Sequence, residues 1–201
     1  MRFLNKLSYE IVRFAFSLLI CVILMPSTGF GQEVSEEVGI YSDYFEEFTL
    51  EQKFEQKDSR VYIFSGKNQY LNIEVISGID SNSADTLTES EIMGIKALYA
   101  NALSPYPGEV SREIVCNDRY KPAFRDYVTD GRPYKYVLLH STERFGLGAC
   151  TDDSVKYKHL IGWKYCPQSS ALFIIREFYP LDSTFDSLEK MFLSFSCTKK
   201  A

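Results

Sequence analysis

Alternation of apolar and polar residues marks out short strands, and two stretches break that period into a helical one. Residues 70–78 read YLNIEVISG, where Leu71, Ile73 and Val75 alternate with Tyr70, Asn72 and Glu74. A period of two gives an antiparallel strand with one greasy face and one wetted face. Residues 60–66 (RVYIFSG) form a second β-rich run, and only the turn around Gly66-Lys67-Asn68-Gln69 separates the two. The pair predicts a hairpin. Beyond the polar stretch 79–86, Ile92, Ile95, Leu98, Tyr99, Ala102 and Leu103 recur at helical spacing. Thr88-Glu89-Ser90-Glu91 in front of them has the form of a capping box, and Pro105 and Pro107 predict a stop near Ser104.

Residues 111–117, 124–129 and 134–142 are strand-like, with a turn signal at Asp130-Gly131. The last quarter, residues 155–197, is the best punctuated. VKYKHLIGWKYC, the breaker PQSS and ALFIIREFY predict two strands and a turn. Ser183 is the expected N-cap of a closing helix, with Phe185, Leu188, Phe192 and Phe195 as its buried stripe. Toward the N-terminus the pattern weakens. Residues 32–39 are polar and acidic and are expected to fray. Tyr41, Tyr44, Phe45 and Phe48 fall on one helical face, though a strand through 48–54 is the competing reading. The expected fold is α+β: an antiparallel, curved sheet of five to seven strands. An amphipathic helix follows the first hairpin, and a C-terminal helix packs on the sheet.

The first residues stand apart from this pattern. Arg2, Lys6 and Arg13 precede an apolar run of 12 residues, 14–25, and then Pro26, Ser27, Thr28, Gly29, Phe30 and Gly31. That order is a secretory signal with cleavage expected after Gly31. A spanning helix needs about 20 residues, so no stable membrane insertion is expected after cleavage. Ile20 before Cys21 is too large for a lipidation signal. Removing the leader shifts the formal net charge from −5 to −7. Most of that, −6, lies in residues 32–60, and residues 61–201 carry −1. The domain division is therefore a signal peptide (1–31), an acidic segment (32–59) and one body domain (60–201). Such a balance excludes the basic stripe of a nucleic-acid binder. The periplasm or the outside is the expected location.

Four cysteines remain: Cys116, Cys150, Cys166 and Cys197. An even number in an exported chain reads as two disulfides. A zinc site would need close pairs, and here 33, 15 and 30 residues intervene. Three pairings exist on paper. The strand after PQSS rises about 30 Å from the turn, and the closing helix returns about 20 Å. Cys197 therefore comes back to the level of Cys166, which leaves Cys116 for Cys150.

The element order, the first helix TLTESEIMGIKALYANAL and the ending SLEKMFLSF resemble the PsbP-like α/β/α sandwich, which includes small envelope proteins of the DcrB type. The resemblance spans residues 60–197. It implies an accessory or interaction domain with no shared catalytic residues. The cysteines, the acidic segment and the loop 145–154 depart from it.

Candidates for chemistry are few. His140 and His159 lie in strand-like runs and lack neighbours at metal-ligand spacing. Gly146 and Gly148 sit in a loop without the third glycine and helix start of a phosphate cradle. Asp152 and Asp153 follow, without a calcium-loop signature. Trp163 belongs to an aromatic-rich strand. These residues, His140, Gly146, Gly148, Asp152, Asp153 and Trp163, are the possible binding positions. The expectation is a non-catalytic binding or accessory protein with an unknown protein or small-molecule partner and no cofactor or metal. A secreted hydrolase using His140 and the loop 146–153 is the alternative.

Overall fold

The computed structural model describes residues 30–100, 116–129, 132–142 and 150–199. Its elements, in chain order, begin with helix α1 (Phe30–Val38), a 3-10 turn (Asp43–Glu47) and strand β1 (Thr49–Glu55). The hairpin β2 (Ser59–Gly66) and β3 (Gln69–Ser77) precedes helix α2 (Ser81–Ala100). Strands β4 (Ala123–Thr129), β5 (Arg132–Ser141), β6 (Tyr157–Cys166) and β7 (Ala171–Pro180) lead to helix α3 (Phe185–Ser194). The strands form one seven-stranded sheet, ordered β1-β2-β3-β7-β6-β5-β4. Every neighbouring pair is antiparallel. Two meanders thus meet where β3 bonds β7.

Helices cover both faces, because the strands of the second meander are apolar on both. Along β7, Phe173 and Ile175 join Phe45, Phe64, Leu71, Leu188, Phe192 and Phe195 in one core. Leu172 and Ile174 join Ile92, Ile95, Val137, Leu139, Ile161 and Trp163 in the other. We call these the α3 face and the α2 face. A fully buried Leu, Ile or Phe contributes about 1.5–3 kcal/mol of transfer free energy, so two opposed cores make the central strands the most protected part. On the α3 face the Phe192 ring packs directly on Gly162, where an added Cβ would overlap it.

Several elements differ from their sequence-based expectation. Residues 32–38 are helical rather than frayed, because Val34 and Val38 bury into the α3-face core, and Gly39 turns the chain out of the helix. The aromatic run after them is a five-residue 3-10 turn followed by a strand, not a longer helix. Phe45 and Phe48 are buried all the same. The backbone of Tyr41 exchanges hydrogen bonds with Ser196 at 2.9 and 2.8 Å, which ties this segment to the end of α3. The acidic segment therefore supplies a helix, a turn and an edge strand to the same sheet and core as the body.

Helix α2 begins at Ser81, ahead of the expected capping box. The Asp80 carboxylate accepts the Ser83 N–H at 2.7 Å and is the working cap. Thr88 lies inside the helix and donates its hydroxyl to the Ala84 carbonyl at 2.8 Å. Burial of Ala84 against the sheet outweighs the weak helix preference of the Ser, Asn and Thr residues around it. In α3 the cap position is Thr184, not Ser183, and no side-chain cap bond forms. Cys116 and Asn117 are not strand. The expected strand at 111–115, the turn at Asp130-Gly131 and residues 1–29 of the expected leader 1–31 lie outside the described residues.

Both cysteine pairs stand as the chain geometry predicts. Cys166 and Cys197 are at 2.01 Å between sulfurs, and Cys116 and Cys150 at 2.28 Å.

Candidate functional site

The residues singled out from the sequence fall on opposite faces of the sheet. His140 sits near the end of β5 on the α3 face, 8% exposed. Its ring is edge-on to Tyr120 at 4.9 Å and to Phe185 at 5.2 Å. Its Nδ1 has no hydrogen-bond partner among the described residues. Burial lowers its pKa below the ordinary histidine value, and the charges of Lys158 and Arg119 lower it further. The imidazole is therefore neutral at physiological pH.

Asp152 belongs to the same corner. It accepts the Tyr120 hydroxyl at 2.7 Å and pairs with Arg119, whose guanidinium lies 4.5 Å from the Tyr120 ring centre. The Cys116–Cys150 pair and the Asn117 N–H bond to the Cys150 carbonyl at 3.0 Å bring these two segments together. Asp153 is exposed. With its carboxylate engaged by Tyr120 and Arg119, Asp152 is a structural tie. Gly146 and Gly148 lie outside the described residues.

Trp163 lies on the α2 face, at the floor of a cleft between α2 and the sheet. The cavity is about 250 Å³. Helix α2 lines it with Ala84, Asp85, Thr88 and Glu89, and β5 with Tyr134 and Lys135. The other wall is Trp163 and Tyr165 of β6 with Leu172 of β7. Helical spacing puts Asp85 and Glu89 on one side of α2, four residues apart. Lys135 pairs with Glu89 across the cleft. That pairing raises the Lys135 pKa, and Asp126 and Asp85 add to it against a partial desolvation. Lys135 in turn lowers the Glu89 pKa. Asp85, Glu89 and Asp126 thus stand against Lys135 and Lys96, and the mouth carries one excess negative charge.

The floor is held from below. The Trp163 indole N–H donates to the Glu91 carboxylate at 2.9 Å. Arg176 bridges Glu91 at 3.9 Å and Glu74 at 3.2 Å. The Tyr165 hydroxyl donates to the Ile79 carbonyl at 3.2 Å. Aromatic walls and a carboxylate pair can hold a compact cationic group, by ion pairing and by cation–π attraction.

Asp85, Glu89 and Lys135 carried no sequence signal as a group. Only the i, i+4 carboxylates were legible, because the cross-cleft Lys135 depends on how α2 docks. Among the described residues no cluster of three or more His, Cys, Asp or Glu is placed to hold a metal ion. His159, the second histidine, is buried and stacked on Phe178 at 3.9 Å, a packing role. No protein-family model matches the chain, and no curated protein matches it in sequence.

Proposed function

We propose that this chain is an exported binding protein of the cell envelope, and that the cleft between α2 and the sheet holds its ligand. The observation that carries the reading is the meeting of Trp163 and Tyr165 with Asp85, Glu89 and Lys135 around one cavity. Ligand pockets usually span about 300–1,000 Å³, so about 250 Å³ suits a compact ligand. Excess negative charge at the mouth selects an amine or guanidinium. Export is supported by the order of basic, apolar and small residues at the N-terminus. Two cysteine pairs at bonding distance fit an oxidising compartment. Among the described residues no helix is long and apolar enough to cross a membrane.

Trp163 is the single tryptophan of the chain, so its emission reports the cleft directly. Titration with a panel of small amines and guanidines, including agmatine, arginine and ethylenediamine, is expected to change that emission saturably for at least one compound. Glu89→Gln should weaken the response about tenfold or more, by removing one charge-assisted contact worth about 1.5–3 kcal/mol. A flat response across the panel overturns the cleft as the site.

A further inference from the structure

Strand β1 is the first in the sheet order and, among the described residues, bonds only β2. Its other edge is a row of backbone donors and acceptors available to a further strand. We propose that this edge pairs antiparallel with the same edge of a second copy, about a two-fold axis through Phe54. The cleft under α2 lies on the other meander and plays no part.

The backbone phase comes from the hairpin. Gln56 donates its N–H to the Ser59 carbonyl at 2.8 Å, and the register continues as Glu55 with Arg60, Phe54 with Val61 and Lys53 with Tyr62. Bonding direction alternates along an antiparallel strand. Phe54 therefore directs its N–H and C=O toward β2, while Lys53 and Glu55 direct theirs outward. A two-fold axis through Phe54 sets Lys53 opposite Glu55 of the partner subunit, and Glu55 opposite Lys53 of the partner subunit. Each such pair exchanges both backbone hydrogen bonds. The two Phe54 rings meet between them as a non-hydrogen-bonded pair, the closer kind, with Cβ atoms about 4.5–5.5 Å apart.

The side chains agree with that axis. Residues opposite each other share a face, so Lys53 and Glu55 lie on the α3 face with Tyr62 and Arg60, and Phe54 lies with Val61 on the other. Phe54 is 48% exposed, and Val61 and Ile63 beside it are only half-buried. Pairing covers Phe54, the outermost residue of this apolar strip, with the same ring of the second copy. Lys53 is held at 3.1 Å by Glu55 of its own strand and at 3.1 Å by Glu37. In the dimer it keeps Glu37 and exchanges one Glu55 for the other. The register is selective. Moving the axis to Lys53 or to Glu55 sets like charges opposite each other, which is destabilising. The shift between Leu50 and Gln52 ends the regular ladder on one side. The contact is therefore short, and small interfaces are weak and reversible. A lysine on an edge ordinarily deters pairing; here the partner strand brings the carboxylate that answers it.

Sedimentation equilibrium of the protein purified after export tests the pairing over a wide concentration range. The wild type is expected to show a reversible monomer–dimer equilibrium. Lys53→Glu and Glu55→Lys should each weaken it at least tenfold, and the double reversal should restore it to within a few-fold. Oxidation of a Phe54→Cys variant should link two copies into a dimer on a non-reducing gel. A wild type that stays monomeric leaves the edge to a strand of another protein or to none, and overturns the proposal. So does a dimer indifferent to both single reversals, a double reversal that fails to restore it, or a Phe54→Cys variant that does not link.

Discussion

Glu177 is the side chain whose surroundings oppose its chemistry most. It lies in β7 between Leu71 of β3 and Leu160 of β6, fully buried on the α3 face. Neither carboxylate oxygen has a hydrogen-bond partner among the described residues. Burial raises its pKa well above the usual carboxylate value. A raised folded-state pKa means that the group's contribution is fully present below the unfolded value of about 4.3. It is lost as pH rises through the folded value. Glu177→Leu should therefore stabilise the protein, by about 1–3 kcal/mol near pH 8 and by less near pH 5. Urea unfolding at the two pH values checks this, and an equal effect at both would contradict it. The sequence shows Arg176 beside Glu177, and a period of two must send them to opposite faces. Which face is closed at that level depends on α3, so the buried charge could not be read from ALFIIREFY. His140 shows the same limit. Its neutral imidazole follows from Tyr120, Phe185, Lys158 and Arg119, none of them near it in the chain.

At the level of elements, the packing of α3 on β6 turns on one glycine. The Phe192 ring occupies the space that a side chain at Gly162 would need. Gly162→Ala is expected to cost about 1–3 kcal/mol, the usual penalty of overpacking. The ring rather than the backbone is the obstacle, since Gly162 is not among the positive-φ residues. Adding Phe192→Leu should then recover much of the loss, and thermal melts of the single and double variants test the coupling. Strand periodicity identified β2, β3, β5, β6 and β7 because each is buried on at least one face. The boundaries that failed were set by something other than periodicity. Asp80 caps α2 from within a stretch whose composition favours a loop. The 3-10 turn Asp43–Glu47 replaces a longer helix because Tyr41 is already bonded to Ser196 and the chain must turn into β1.

On the scale of the whole molecule, the two cysteine pairs tie different parts of the sandwich. Cys166–Cys197 closes α3 onto the β6–β7 turn, and Cys116–Cys150 joins the segment before β4 to the one before β6. Each closes a loop of about thirty residues, worth about 3–4 kcal/mol in the chain-entropy account. The remaining cysteine, Cys21, lies within residues 1–31, the stretch we propose to be a cleaved leader. A thiol titration under denaturing, non-reducing conditions should therefore find none in the exported protein. One thiol per chain would mean that the leader is retained. The whole molecule also separates the candidate residues. His140 and Asp152 share one corner, while Trp163 belongs to a cleft on the other face.

By itself the sequence determined the antiparallel strands, the two long helices, the pairing of cysteines and the order of signals at the N-terminus. These depend on period, spacing and chain length, all of which are local or nearly so. Only the tertiary structure decided which polar residues are buried, where α2 begins and which charges meet across the cleft. Each of those rests on the docking of elements far apart in the chain. Asp85, Glu89 and Lys135 become neighbours because α2 crosses β5 and β6, and β1 becomes the edge of the described sheet because β3 turns to pair with β7.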